Sequence, residues 1–188
     1  MNTFKNFEKI LALHCSPTLV GIKPSNLISC YKKHYSNIPY LIKTYNTVLN
    51  KKNIFLEILC EYKSYYLILV YNKNLLNSIL MNPSCQGFLK LNGYPDINIL
   101  DAINTLKHKV LNINNFPHEI GLFLGYPLDD IIGFIENKGQ SYKFYGYWKV
   151  YSNEEYAKSL FNQYDKCRES FVSKLLLGNS IMDIINVI

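Results

Sequence analysis

Two apolar runs place the strongest constraint on the fold. Residues 54–62 (IFLEILCEY) and 65–71 (YYLILVY) flank a polar Lys63-Ser64 pair. Aliphatic and aromatic residues on both sides of a short polar turn predict a β-hairpin. The second run is almost unbroken in its hydrophobicity, so it needs apolar cover on both faces, as a central strand does. Such a strand requires further strands beside it and helices over it. The chain can supply them: it has 188 residues, 48% hydrophobic and 18% charged. That is core enough for one globular domain over residues 1–188, and too little charge for a disordered chain.

The remaining elements follow from hydrophobic period and turn chemistry. Helical spacing of Phe4, Phe7, Ile10 and Leu11 predicts a first helix over 3–13, an amphipathic segment and not an export signal. Further helices are expected over 39–49, 74–81, 84–91 and 97–111. Pro127 marks another helix start, with Asp129 and Asp130 in its first turn, where carboxylates oppose the positive end of the helix dipole. Ser152 or Asn153 caps the last long helix, which Gly178-Asn179 ends, leaving the apolar tail 181–188 (IMDIINVI). Besides the hairpin arms, three stretches read as strands: 26–31, the buried run 119–125, and 142–151. In the last, Tyr142, Phe144, Trp148 and Val150 alternate with Lys143, Tyr145, Tyr147, Lys149 and Tyr151. The expected class is α+β, with a mixed sheet of about five strands flanked by helices.

Composition narrows the partners. All but one of the 20 basic residues are lysines, Arg168 being the exception, and the net charge of +6 is spread along the chain. Together with abundant Asn, Ile and Tyr, this is the residue usage of an AT-rich genome. A nucleic-acid protein would concentrate its charge and use arginine forks, so nucleic acid is an unlikely partner on this pattern. No apolar run reaches the roughly 18 residues of a membrane span. Five cysteines, without a CxxC pair or an export signal, point to reduced thiols and a cytoplasmic setting.

Two segments could carry chemistry. In the first, His14-Cys15-Ser16-Pro17, Cys15 would lie just before a helix start at Pro17, where free N–H groups favour a thiolate nucleophile. In the second, Phe116-Pro117-His118-Glu119, His118 enters a buried strand and so would be rigidly held, as a catalytic base should be. Glu119 or Asp129 would orient its imidazole. Cys15, His118 and Glu119 are thus the candidate catalytic residues of a thiol-dependent hydrolase or acyltransferase. The alternative is a non-enzymatic module binding a metal, a cofactor or a protein partner. His14, Cys15, Cys85, His118 and Glu119 are suitable metal donors, but none of their spacings is that of a ligand pair. The Tyr145, Tyr147 and Tyr151 face, with Lys143 and Lys149, would either stack a planar ligand or form a cross-strand aromatic ladder. No glycine-rich phosphate motif is present, and the residues name no cofactor. The apolar tail 181–188 is a candidate protein interface.

Four blocks in order, HCSPTLVGIKPSNL, CQGFLKLNGYP, FPHEIGLFLGYPLDDIIGFI and YKFYGYWKVY…FNQYDKC, resemble an uncharacterised bacterial family, domain of unknown function 3793. The family is typical of clostridia and related anaerobes. The resemblance runs over essentially the whole chain and implies a single-domain cytosolic protein from a low-GC anaerobic bacterium. It assigns no activity and no residue roles, although its motifs coincide with the Cys15 and His118 segments.

Overall fold

A computed structural model of the chain describes residues 3–35, 37–95, 98–111 and 116–186. In chain order the elements are α1 (Thr3–Leu19), β1 (Ser25–Tyr31), α2 (Ile38–Leu49), β2 (Ile54–Glu61), β3 (Tyr65–Asn72) and α3 (Lys73–Leu80). There follow α4 (Pro83–Leu91), α5 (Ile99–Val110), α6 (Ile120–Phe123), α7 (Leu128–Glu136), β4 (Phe144–Tyr145), β5 (Lys149–Val150), α8 (Glu154–Leu176) and α9 (Ile181–Asn186). The chain divides into two compact units, residues 1–75 with 166–188, and residues 76–165. Helix starts use the abundant asparagines. Asn37, Asn82, Asn98 and Asn153 each accept a backbone N–H from the first turn of α2, α4, α5 and α8.

The first unit is built on the expected hairpin. The three strands are antiparallel in the order β1-β3-β2, so the most apolar run is central, and β2 carries a bulge between Ile58 and Cys60. On its outer side β2 would expose unpaired backbone groups. The Asn46 side chain of α2 meets that need at Leu56, donating to its carbonyl and accepting its N–H, both at 2.9 Å. The core gathers Phe7, Leu11 and Cys15 of α1 with Ile28, Ile68 and Val70 of the sheet and Phe171 of α8.

Two expectations for this unit are corrected. Helix α1 does not stop at Leu13; it continues to Leu19 with Pro17 inside. Proline removes an N–H and crowds the preceding turn. Here the continuation buries Cys15, Ser16, Thr18 and Leu19, and Thr18 Oγ1 donates to Asn26 Oδ1 at 2.6 Å. Gly21, at φ +74°, then ends the turn in a conformation suited to glycine. The apolar tail is likewise no exposed interface. Ile181, Ile184 and Ile185 of α9 are buried in the core, each burial contributing about 1.5–3 kcal/mol. The tail's last two residues lie outside the described ones.

The second unit holds the other corrections. The expected sheet of about five strands is a three-stranded sheet in the first unit and a two-stranded hairpin here. Residues 119–125 form no strand. His118 and Glu119 are in a turn leading into α6, with Gly121 N–H donating to His118 O at 3.1 Å and Leu122 N–H to Glu119 O at 3.0 Å. A short apolar run fits a buried helix as well as a buried strand, and period alone does not separate them. Gly121 permits the close packing seen here. A Cβ there would come within 2.9 Å of Ile131, so the absence of a side chain lets α6 lie against α7. Residues 142–151 are not one strand either. They fold back at Gly146 into β4 and β5, paired Phe144 to Val150 and Tyr145 to Lys149. A Cβ on Gly146 would overlap the ring of Phe161, which fixes the site of the turn. Residues 112–115 of the expected loop and Ile97 of the expected helix over 97–111 lie outside the described residues.

Candidate functional site

Turn, helix and hairpin in the second unit line a half-open cavity of about 280 Å³. The short helix α6 contributes Ile120 and Gly121, and α7 contributes Ile131 and Phe134. Tyr145 and Trp148 of the hairpin region form the aromatic side, with Tyr126 beside them; Phe116, Pro117 and His118 make the rim. The aromatic walls are ordered by mutual packing. Tyr126 stacks on Trp148 with centroids 4.8 Å apart, and Trp148 meets Phe161 edge-on at 4.5 Å. The chain's single tryptophan therefore sits between the cavity and the core of its unit.

Asp130 holds this wall in place. Its carboxylate is buried, accepting the Trp148 indole N–H on Oδ2 at 2.7 Å and the backbone N–H of Tyr151 and Ser152 on Oδ1 at 2.8 and 2.7 Å. Three donors to one carboxylate supply the hydrogen bonds that a buried charge requires. From the sequence alone, Asp130 is expected only to oppose the helix dipole. Its position in the first turn of α7 serves both, because the turn points it at the strand exit. At the cavity edge, Lys149 donates from Nζ to Gly139 O at 2.7 Å, and its charge lies 5.0 Å from the Tyr142 ring and 5.8 Å from that of Phe134.

His118 is exposed at the cavity rim and packs edge-on against Phe134, centroids 5.2 Å apart. Glu119 follows it in sequence but is buried, and its Oε1 lies 2.8 Å from Lys109 Nζ of α5. The Lys109 ammonium also stands 5.2 Å from the Tyr94 ring, and burial together with the Glu119 charge raises the Tyr94 hydroxyl pKa. Glu119 thus works as an ion-pair partner that ties α5 to the start of α6.

Cys15 belongs to the first unit, whereas His118 and Glu119 belong to the second. Its thiol is fully buried within α1, not ahead of a helix start. Burial drives its pKa well above the usual thiol range, and the nearby Lys23 ammonium offsets only part of that. Lys23 is itself buried, which lowers its pKa from 10.5 to about 8. Cys30, close by, is pushed up to about 12. All five cysteines are free, and among the described residues no three His, Cys, Asp or Glu side chains come together as a metal cluster.

A family model matches residues 11–185. The chain belongs to the protein family of unknown function DUF3793. The DUF3793 match takes in every residue of the cavity wall and the whole Cys15 segment. No curated protein and no solved structure matches the chain. Among the described residues of this DUF3793 member, no helix is long and apolar enough to cross a membrane.

Part of the cavity wall is legible in the sequence. Of the Tyr145, Tyr147 and Tyr151 face with Lys143 and Lys149, open to ligand stacking or to an aromatic ladder, only Tyr145 and Lys149 line the cavity; His118, expected at the entry to a buried strand, stands exposed in a turn instead. Trp148, Phe134 and Tyr126 were missed as cavity walls. Their only signal was aromatic density on either side of the Pro127 helix start, which has the same appearance as core.

Proposed function

We propose that this DUF3793 member is a small-molecule-binding module whose ligand occupies the aromatic cavity of the second unit. The observation that carries this reading is the wall itself. Tyr126, Phe134, Tyr145 and Trp148 surround a volume just below the roughly 300–1,000 Å³ that suits drug-sized ligands. Flat rings and an apolar lining favour a planar molecule of one or two rings. The acidic groups nearby are already engaged, Asp130 by three donors and Glu119 by Lys109. Both carboxylates are held as structural partners, and binding is the chemistry the apolar wall supports best.

The thiol-dependent hydrolase or acyltransferase draws less support. A nucleophile must meet its substrate as a thiolate, and burial of Cys15 opposes both contact and ionisation. The free cysteines accord with a reducing, cytoplasmic setting for the binding module.

Thermal unfolding in the presence of a panel of one- and two-ring planar compounds tests the proposal. A ligand that binds only the folded state raises the midpoint with concentration, by about 2.7 kcal/mol of stability at one hundred times Kd. The midpoint should rise for at least one compound, and Phe134→Ala should weaken that response. A flat response across the panel would defeat the proposal.

A further inference from the structure

Resting on the cavity reading above, we infer that the ligand is a planar aromatic carboxylate whose ring lies among Tyr126, Phe134 and Trp148 and whose acid group faces Lys149. The cavity lining is almost wholly apolar, so a polar substituent must sit where the lining changes character. That place is the edge formed by Lys149 and His118. The Lys149 ammonium has three N–H groups, and one is given to Gly139 O. Lys149 lines the cavity, and its ammonium lies 5.8 Å from the Phe134 ring of the wall and 5.0 Å from the Tyr142 ring outside it, which places a cation at the margin of an apolar pocket.

The opposite charge is differently placed. Asp130 also borders the cavity, but it is almost completely buried, and both oxygens are occupied by Trp148, Tyr151 and Ser152. It has little capacity left for a cationic ligand, whereas Lys149 retains donors for an anionic one. A phosphate would fit less well than a carboxylate. The site offers one lysine and a histidine at the rim, with no arginine fork, and the first turn of α7 already carries Asp129 and Asp130.

Three probes of matched shape separate this inference from the cavity reading: trans-cinnamate, cinnamamide and cinnamylammonium. The Trp148 indole N–H gives the only tryptophan side-chain signal in a ¹H–¹⁵N spectrum of the full chain, and its shift reports occupancy of the cavity. Cinnamate should bind about tenfold or more tighter than cinnamamide, as a charge-assisted hydrogen bond implies. Lys149→Met should bring the ratio of the two affinities close to one, and Lys149→Arg should retain the preference for the acid. Equal binding of acid and amide, tightest binding of the ammonium, or a preference that survives Lys149→Met would overturn the carboxylate assignment while leaving the cavity as a binding site. Failure of all three probes to move the indole signal would overturn both.

Discussion

The Trp148 indole N–H and the Asp130 carboxylate lie 2.7 Å apart, and this pair joins α7 to the hairpin that walls the cavity. The second oxygen of Asp130 receives Tyr151 and Ser152 N–H, so one buried side chain fixes both the tryptophan and the strand exit.

Asp130→Ala should therefore cost about 3 kcal/mol or more, since three buried donors lose their acceptor together. Asp130→Asn can still accept through one oxygen and should cost less. Denaturant unfolding followed by Trp148 fluorescence measures both. Equal, small losses for the two variants would show that the carboxylate is not what holds the wall.

Two glycine substitutions should have opposite signs. Gly146→Ala places a methyl group into the Phe161 ring and should destabilise the second unit by about 1–3 kcal/mol, the usual cost of overpacking. Gly87, exposed on α4 with open space around it, should gain about 0.5–1 kcal/mol on becoming alanine. Unfolding midpoints of the two variants give the comparison directly.

The Gly146 contact also separates the elements legible in the sequence from those that are not. The hairpin at 54–71, β1, α2 and the pair α3 and α4 follow from apolar period, proline and asparagine caps, all local signals. Residues 119–125 and 142–151 depend on contacts far along the chain. Gly121 must accommodate Ile131, and Gly146 must accommodate Phe161, before a helix or a turn becomes the better choice. Local propensity carries no record of such a partner. The same holds for Cys15: Pro17 reads locally as a boundary, but burial of Ser16, Thr18 and Leu19 carries the helix through it. In the candidate site, His118 and the Tyr145 face were visible as residue types. The cavity itself was not, because it arises from three elements meeting.

Cys15 should resist alkylation in the folded protein at neutral pH, because the reactive form is the thiolate and burial disfavours it. Cys85 and Cys167, both half-buried, should be labelled first. Site-resolved labelling by mass spectrometry distinguishes the five. Rapid modification of Cys15 ahead of the others would restore it as a candidate nucleophile.

Lys23 gives a pH prediction with a definite sign. Its folded pKa, about 8, lies below the usual 10.5, so between these values the unfolded chain binds more protons. Its contribution therefore rises with pH through that window; the penalty is complete below about pH 8 and relieved by about 10.5. Cys15 and Cys30, with raised pKa values, act in the opposite direction above about pH 9. The difference between the native chain and Lys23→Met reports the lysine together with its effect on Cys15. The variant's relative stability should fall by up to about 3 kcal/mol between pH 8 and 10.5. A difference that is constant with pH would contradict the depressed pKa.

The cavity between α6, α7 and the hairpin is proposed to receive a ligand, and Trp148 reports on it most directly. Titration of the ¹⁵N-labelled chain with the planar probes should shift the single indole signal saturably, and Phe134→Ala should weaken the apparent affinity about tenfold through the loss of one aromatic wall. An indole signal that stays fixed at millimolar concentrations of every probe would contradict a ligand-binding cavity.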